Sequence, residues 1–244
     1  MAHPPSASVE TTSGYAAATG RPPAETILRG RVLVRGAVAV ALLLAAAHFV
    51  AVTLVHGLGE PGRAVPESVV LNAEGTVATW FSAALHLVNA ALLALLAAAA
   101  GPRERRRWVL LAVMVLAVSV DEVSAFHEDV NWVLREHLDT SGVLTYVWVV
   151  PAVVVVAVVA ATCARLVLAR PGGVRVVLGT AVFLGGAVVV EVLQGWWIGT
   201  DGRTSDLEFL LLGGIEETME MLGTVLAMSG LLKAVAGHGV RFPG

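Results

Sequence analysis

Six long apolar runs, broken by short polar or glycine- and proline-containing segments, set the pattern of this chain. They cover about residues 32–55, 79–100, 107–127, 143–168, 174–197 and 206–232. Each run is about the 20 residues a helix needs to cross a bilayer and about twice what a barrel strand needs. Within lipid the backbone must satisfy its own hydrogen bonds, so each run is predicted to be a helix. Gly101-Pro102 and Pro171-Gly172-Gly173 predict tight turns, and the connection from Gly57 to Ala78 is longer. Residues 1–28, rich in Ala, Ser, Thr and Pro, show no apolar periodicity and read as a disordered tail; 236–244 form a second short tail. The first 28 residues lack the apolar core of a signal peptide, so the first run is expected to stay as an anchor. The expectation is one domain, 29–235, folded as an all-α six-helix transmembrane bundle.

Composition supports that class. The 244 residues are 57% hydrophobic and 14% charged, and mean hydropathy is +0.79, well above a soluble domain. The net charge of -3 is small, and no Lys/Arg run interleaved with aromatics points to a nucleic-acid partner. Membrane lipids are the expected surroundings. Cys163 stands alone, which excludes an internal disulfide and a cysteine metal knuckle.

Charge gives the orientation. With six spans, thirteen of the sixteen Lys and Arg residues fall on the side of the amino terminus, and only Arg63, Arg135 and Arg203 on the other. An odd number of spans would destroy this bias, so both termini are expected to be cytoplasmic. Trp80, Trp132, Trp148, Trp196 and Trp197 then lie near outer ends and Trp108 near an inner end, as interfacial anchors would.

Against this background the acidic residues are out of place. Ten of the nineteen lie in 119–129, 189–194 and 206–222, in or beside apolar runs. The orientation puts Asp121, Glu122, His127 and Glu128 at the outer end of the third span and Glu191 near that of the fifth. Glu216, Glu217 and Glu220 lie deeper on the sixth, and His48 and His86 fall in the same outer layer. At 100° per residue Glu216, Glu220 and Glu217 share one face. On an unbroken third helix Asp121 and Glu128 are nearly in line, with Ser124 beside them and Ser119 opposite. Gly213 and Gly214, just before the acidic turn, would let another helix approach closely.

A charged residue at the centre of a span costs about 2.5 to 3.5 kcal/mol, and no Lys or Arg lies in the outer half of any span. Protons, bound cations or a watery vestibule must therefore balance the carboxylates. Carboxylates with imidazoles suit a divalent metal such as zinc, iron or manganese. The candidate ligands are Glu122, His127, Glu128, Glu217, Glu220, His48 and His86, with Asp121, Glu216 and Glu191 as acid/base groups. The Glu-x-x-His pattern of helical di-iron proteins is absent. Ser124, His127 and Asp121 form a weaker hydrolase-triad alternative. Glu136 and Asp139 read as a solvated loop face.

Short resemblances accompany these residues. Val120-Asp121-Glu122 with His127-Glu128, followed by Glu216-Glu217 and Glu220-Met221-Leu222-Gly223, is similar to a group of multi-pass bacterial membrane proteins. The Ala/Val/Arg-rich composition resembles actinobacterial chains. That resemblance implies that the acidic positions act as a unit and implies no particular chemistry. Glu191-x-x-Gln194 followed by Arg203 and Asp206 resembles the pattern of VanZ-like membrane proteins, with different spacing and without the later Asn. Ile215-Glu216-Glu217 resembles the Glu-Glu pair of membrane-bound lycopene cyclases, which would imply acid-catalysed cyclisation; Gly214 stands where those enzymes have proline.

Three function classes remain. One is an integral-membrane enzyme with a metal or acid/base site in the outer half of the bilayer, acting on a lipid or isoprenoid-like substrate that enters sideways. The second is a cation- or proton-coupled transporter or channel using the same acids. Against it, the inner halves of the spans are almost purely Ala, Val and Leu, and no internal repeat is evident. The third is a non-catalytic sensor or assembly partner.

Overall fold

The computed structural model describes residues 24–57, 65–200 and 203–237, with side chains from 29 onward. The predicted tails at 1–23 and 238–244, and the outer Arg63, lie outside the described residues. Among the described residues the chain is all helical: α1 Ala24–Gly57, α2 Val77–Ala99, α3 Pro102–Ser124, α4 Phe126–Leu138, α5 Val149–Leu168, α6 Gly173–Leu184, α7 Glu191–Gly199 and α8 Leu207–Gly237. Five stretches are long and apolar enough to cross a membrane: Arg29–Gly57, Val77–Ala99, Val149–Leu168, Gly173–Gly199 and Leu207–Gly237. With α3 and α4 taken together as one bent span the number is six. Exposed apolar side chains such as Val32, Leu43, Leu54 and Val158 are consistent with a multi-pass membrane protein.

Three predicted boundaries change. Residues 24–28 and 236–237, expected in the tails, belong to α1 and α8. The third span, expected to run unbroken through 127, ends at Ser124. Ala125 takes a left-handed conformation (φ 49°), and α4 leaves at 80° to α3. Asp121 holds this corner: its carboxylate accepts from the His127 backbone N–H at 2.8 Å and its backbone oxygen accepts from Ala125 N–H at 2.7 Å. One side chain thus satisfies a free donor at the start of α4. Asp121 and Glu128 consequently do not share a helical face.

The fifth span is also irregular. Between α6 and α7 the chain makes a π-helical segment, Gly185–Val190, just before Glu191. Such segments shift the facing of every later side chain and are frequent at functional sites.

The bundle has a closed end and an open end. At the closed end Leu92, Leu96, Trp108, Leu166, Met228 and Val235 belong to one buried cluster drawn from α2, α3, α5 and α8. Trp108 is only 1% exposed; it is a core residue, not the interfacial anchor its position suggested. Arg170 and Glu104 form an ion pair there, linking the α3 start to the end of α5. α6 and α8 pack through Gly179 and Gly223, where an added Cβ on either would run into the other helix's backbone. Polar cross-links join other pairs: Ser119 donates to Ala83 O at 2.7 Å between α3 and α2, and Asn89 to Thr224 O at 3.0 Å between α2 and α8.

Candidate functional site

The open end holds a cavity of about 1240 Å³. Its walls come from the loop before α2, from α3 and α4, from the start of α5, from the α6–α7 region and from the first half of α8. Ten carboxyl side chains line it, against one guanidinium, that of Arg135. The expected acids Asp121, Glu122, Glu128, Glu191, Glu216, Glu217 and Glu220 are all among them, as is His127. The opposite wall is apolar: Met114 and Val118 of α3 face Pro151, Ala152 and Val155 of α5.

Along that apolar wall α5 is loosely packed. α5 is packed at its two ends, by Val149 and by Cys163, Leu166 and Val167, while Val150, Val153, Val154, Val155 and Val158 between them are exposed. Val155 both lines the cavity and is exposed, and the middle of α5 is thinly covered by the rest of the bundle.

Five of the acids fall into two groups by their partners. In the first, each carboxylate is held by a neighbour. Asp121 also accepts from His127 Nδ1 at 2.9 Å, Glu191 accepts from Trp148 Nε1 at 2.8 Å, and Glu216 accepts from Gln194 Nε2. The imidazole of His127 packs against Trp148 with ring centroids 4.9 Å apart, so these pairs make one continuous wall. Glu217 and Glu220 form the second group: among the described residues no hydrogen bond or ion pair reaches either. Glu220 is only 9% exposed, yet it lines the cavity. Both carboxylates thus face the space of the cavity with no protein donor on them.

Asp121 is therefore better placed to orient His127 than to act directly. With Nδ1 committed to Asp121, His127 keeps Nε2 to accept or give a proton, the arrangement that lets an imidazole serve as a general acid or base.

The other two histidines stand apart from the carboxylates. His48 lies in a clamp: its Nε2 donates to Leu210 O at 2.9 Å and its Nδ1 accepts from Leu71 N–H at 3.2 Å. Both ring nitrogens of the neutral tautomer are used, which removes His48 from the expected ligand set. Gly214 permits this clamp, since a Cβ there would overlap the His48 ring. His86 does not line the cavity. It sits edge-on to Phe183 at 5.1 Å, and Phe183 forms part of the cavity wall in front of it. His86 Nε2 and Asn89 Oδ1, on one stripe of α2, are buried without hydrogen-bond partners. Among the described residues no three His, Cys, Asp or Glu side chains converge closely enough to hold a metal ion. Ser124 is exposed on the last turn of α3, and no hydrogen bond joins it to His127, so the triad alternative has no geometric support.

Several cavity residues were not candidates from the sequence. Trp148 and Tyr146, one read as an anchor and the other passed over, face the carboxylates. The Tyr146 hydroxyl is pushed up to about 12 by burial and by the negative charge of Glu191 and Glu216, so it stays a neutral phenol at any ordinary pH. Glu74, from the loop before α2, also lines the cavity; burial first, and then the nearby Glu128 carboxylate, raise its pKa above the ordinary glutamate value. Glu136 and Asp139, expected on a solvated loop, lie at the exposed rim formed by the end of α4. The signal for this rim was available in the amphipathic spacing of Phe126, Val130 and Leu134 among charged neighbours, which marks a short surface-lying helix.

A family model described as a domain of unknown function (DUF8692) matches residues 36–235. No curated protein and no solved structure matches the chain.

Proposed function

The chain belongs to this family of unknown function, and we propose that it is an integral-membrane enzyme acting on a lipid or isoprenoid-like substrate. The observation that carries this reading is the cavity itself. A layer of carboxylates faces an apolar wall along the loosely packed middle of α5, while the other end of the bundle is filled by side chains. A long-chain substrate entering between α3 and α5 would keep its chain against Met114, Val118 and Val155 and present its polar end to Glu217 and Glu220. His127, oriented by Asp121, would move a proton through Nε2, with Glu216 or Glu191 as the complementary acid or base.

The segregation of basic residues supports a topology. Arg31, Arg35, Arg103, Arg105, Arg106, Arg107, Arg165, Arg170, Arg175 and Lys233 all lie toward the closed end. By the positive-inside rule that end is cytoplasmic, there are six spans with α3 and α4 as one, and the cavity opens near the extracytoplasmic face of the cell membrane. A divalent ion such as zinc, iron or manganese would need Glu122, Glu217, Glu220 and His127 Nε2 to draw together. Acid/base chemistry needs no such rearrangement, and we favour it.

The test is to incubate purified protein with a total lipid extract from its own host and compare products by mass spectrometry with those of His127→Gln and Glu217→Gln. Conversion of one lipid class by the wild type, lost in both variants, is the expected result. No conversion, together with cation or proton flux in vesicles that Glu217→Gln abolishes, would replace the enzyme by a transporter.

A further inference from the structure

We infer that the cavity binds amphiphiles whose head group is a cation, an amine or quaternary ammonium, with an aliphatic chain behind it. The inference rests on the membrane-enzyme reading and narrows it to one class of substrate. Three independent observations lead to it. The lining is one-sided, ten carboxyl groups to one guanidinium at the rim, so a phosphate or carboxylate head would find almost no cationic partner. Glu220, more than nine-tenths buried, has no protein partner and faces the cavity. Aromatic faces accompany the acids: Trp148 and Tyr146 stand beside Glu191 and Glu216, and Phe126 lies at the mouth. Carboxylates together with aromatic rings are the groups that recognise alkylammonium ions, because the ring faces attract a cation without demanding a donor from it.

The division of the acids fits the same ligand. Asp121, Glu191 and Glu216 are held by His127, Trp148 and Gln194. Glu217 and Glu220, one helical turn apart on α8, are left to meet the head group. The apolar wall of α3 and α5 excludes a small polycation as the natural fit, since it would leave that surface unmatched.

The experiment uses full-length protein in maltoside micelles and four probes: decyltrimethylammonium, decanol, decanoate and tetramethylammonium. Saturable tryptophan fluorescence change and thermal shift report binding. Decyltrimethylammonium is expected to bind at least about tenfold more tightly than decanol, with decanoate and tetramethylammonium weaker still. Glu217→Gln with Glu220→Gln should bring the cation and the alcohol to parity. Trp148→Leu should weaken the cation selectively, whereas Trp148→Phe, which keeps a ring, should retain most of the preference. Equal binding of all three decyl probes would overturn the head-group inference and leave the lipid cavity standing. Binding of tetramethylammonium alone, or of no probe, would overturn the inference and the lipid reading together.

Discussion

The two ends of this bundle use the same helices to opposite effect. α8 shows the contrast within one element: its first half carries Gly213, Gly214, Glu216, Glu217 and Glu220 toward the cavity and its neighbours, while its second half buries Val225, Met228, Leu231 and Val235 in the apolar cluster. At the closed end side chains fill the space and small residues draw helices together. At the open end α5 stands away from α3, and the polar groups outnumber their partners. Lipid offers no hydrophobic drive to bring helices together, so close packing has to hold the molecule. The closed end provides that packing, which lets the open end keep unpaired acids and empty space. The difference teaches that close packing and unpartnered polar groups are segregated to opposite ends of one bundle.

Substitutions should therefore act in opposite directions at the two ends. The largest effect is expected at Trp108: replacing it with Ala removes the biggest fully buried side chain and should cost about 3 to 5 kcal/mol. Reversible unfolding in mixed micelles would measure it, and a cost under ~1 kcal/mol would mean that the closed end does not hold the bundle. Next, Glu220→Gln should leave the fold intact or stabilise it by about 1 kcal/mol, because a buried acid without a partner is replaced by a neutral group. The same change should weaken binding of decyltrimethylammonium toward that of decanol. Destabilisation similar to Trp108→Ala would show that Glu220 is structural and would erase the contrast.

A smaller effect concerns pH. Glu74 has a folded pKa raised above the ordinary value of about 4.5 by burial and by Glu128. The folded protein thus binds the proton more strongly than the unfolded chain does. Its contribution to stability is fully present below pH 4.5 and is lost as pH rises through the raised value. Unfolding midpoints measured from pH 4 upward should fall across this window, and Glu74→Gln should flatten that part of the curve. An unchanged slope in the variant would assign the pH dependence to other groups.

Much of the architecture was legible in the apolar runs, because a span must be long, continuous and helical whatever it packs against. The gathering of Asp121, Glu122, Glu191, Glu216, Glu217 and Glu220 around one cavity could also be anticipated, from helix direction and phase alone. The corner at Ala125 could not. Alanine does not ordinarily favour a left-handed conformation, and the bend depends on the Asp121 carboxylate reaching the far side of it. The roles of the histidines were hidden for a similar reason. His48 and His86 lie at the right depth, yet depth does not say that one is saturated by Leu71 and Leu210 and the other is screened by Phe183. Trp148 looked like an anchor because interfacial and cavity-lining tryptophans occupy the same level of a span.

The acidic cavity should be reachable from one side of the membrane only, with the other end of the bundle sealed. In a Cys163→Ser background, single cysteines at Glu217 and at Met228 can be challenged in right-side-out and inverted vesicles with a membrane-impermeant cationic thiol reagent. The cysteine at Glu217 should react only in right-side-out vesicles, and the one at Met228 should react in neither. Modification at Met228, or of the Glu217 cysteine in inverted vesicles, would contradict that arrangement.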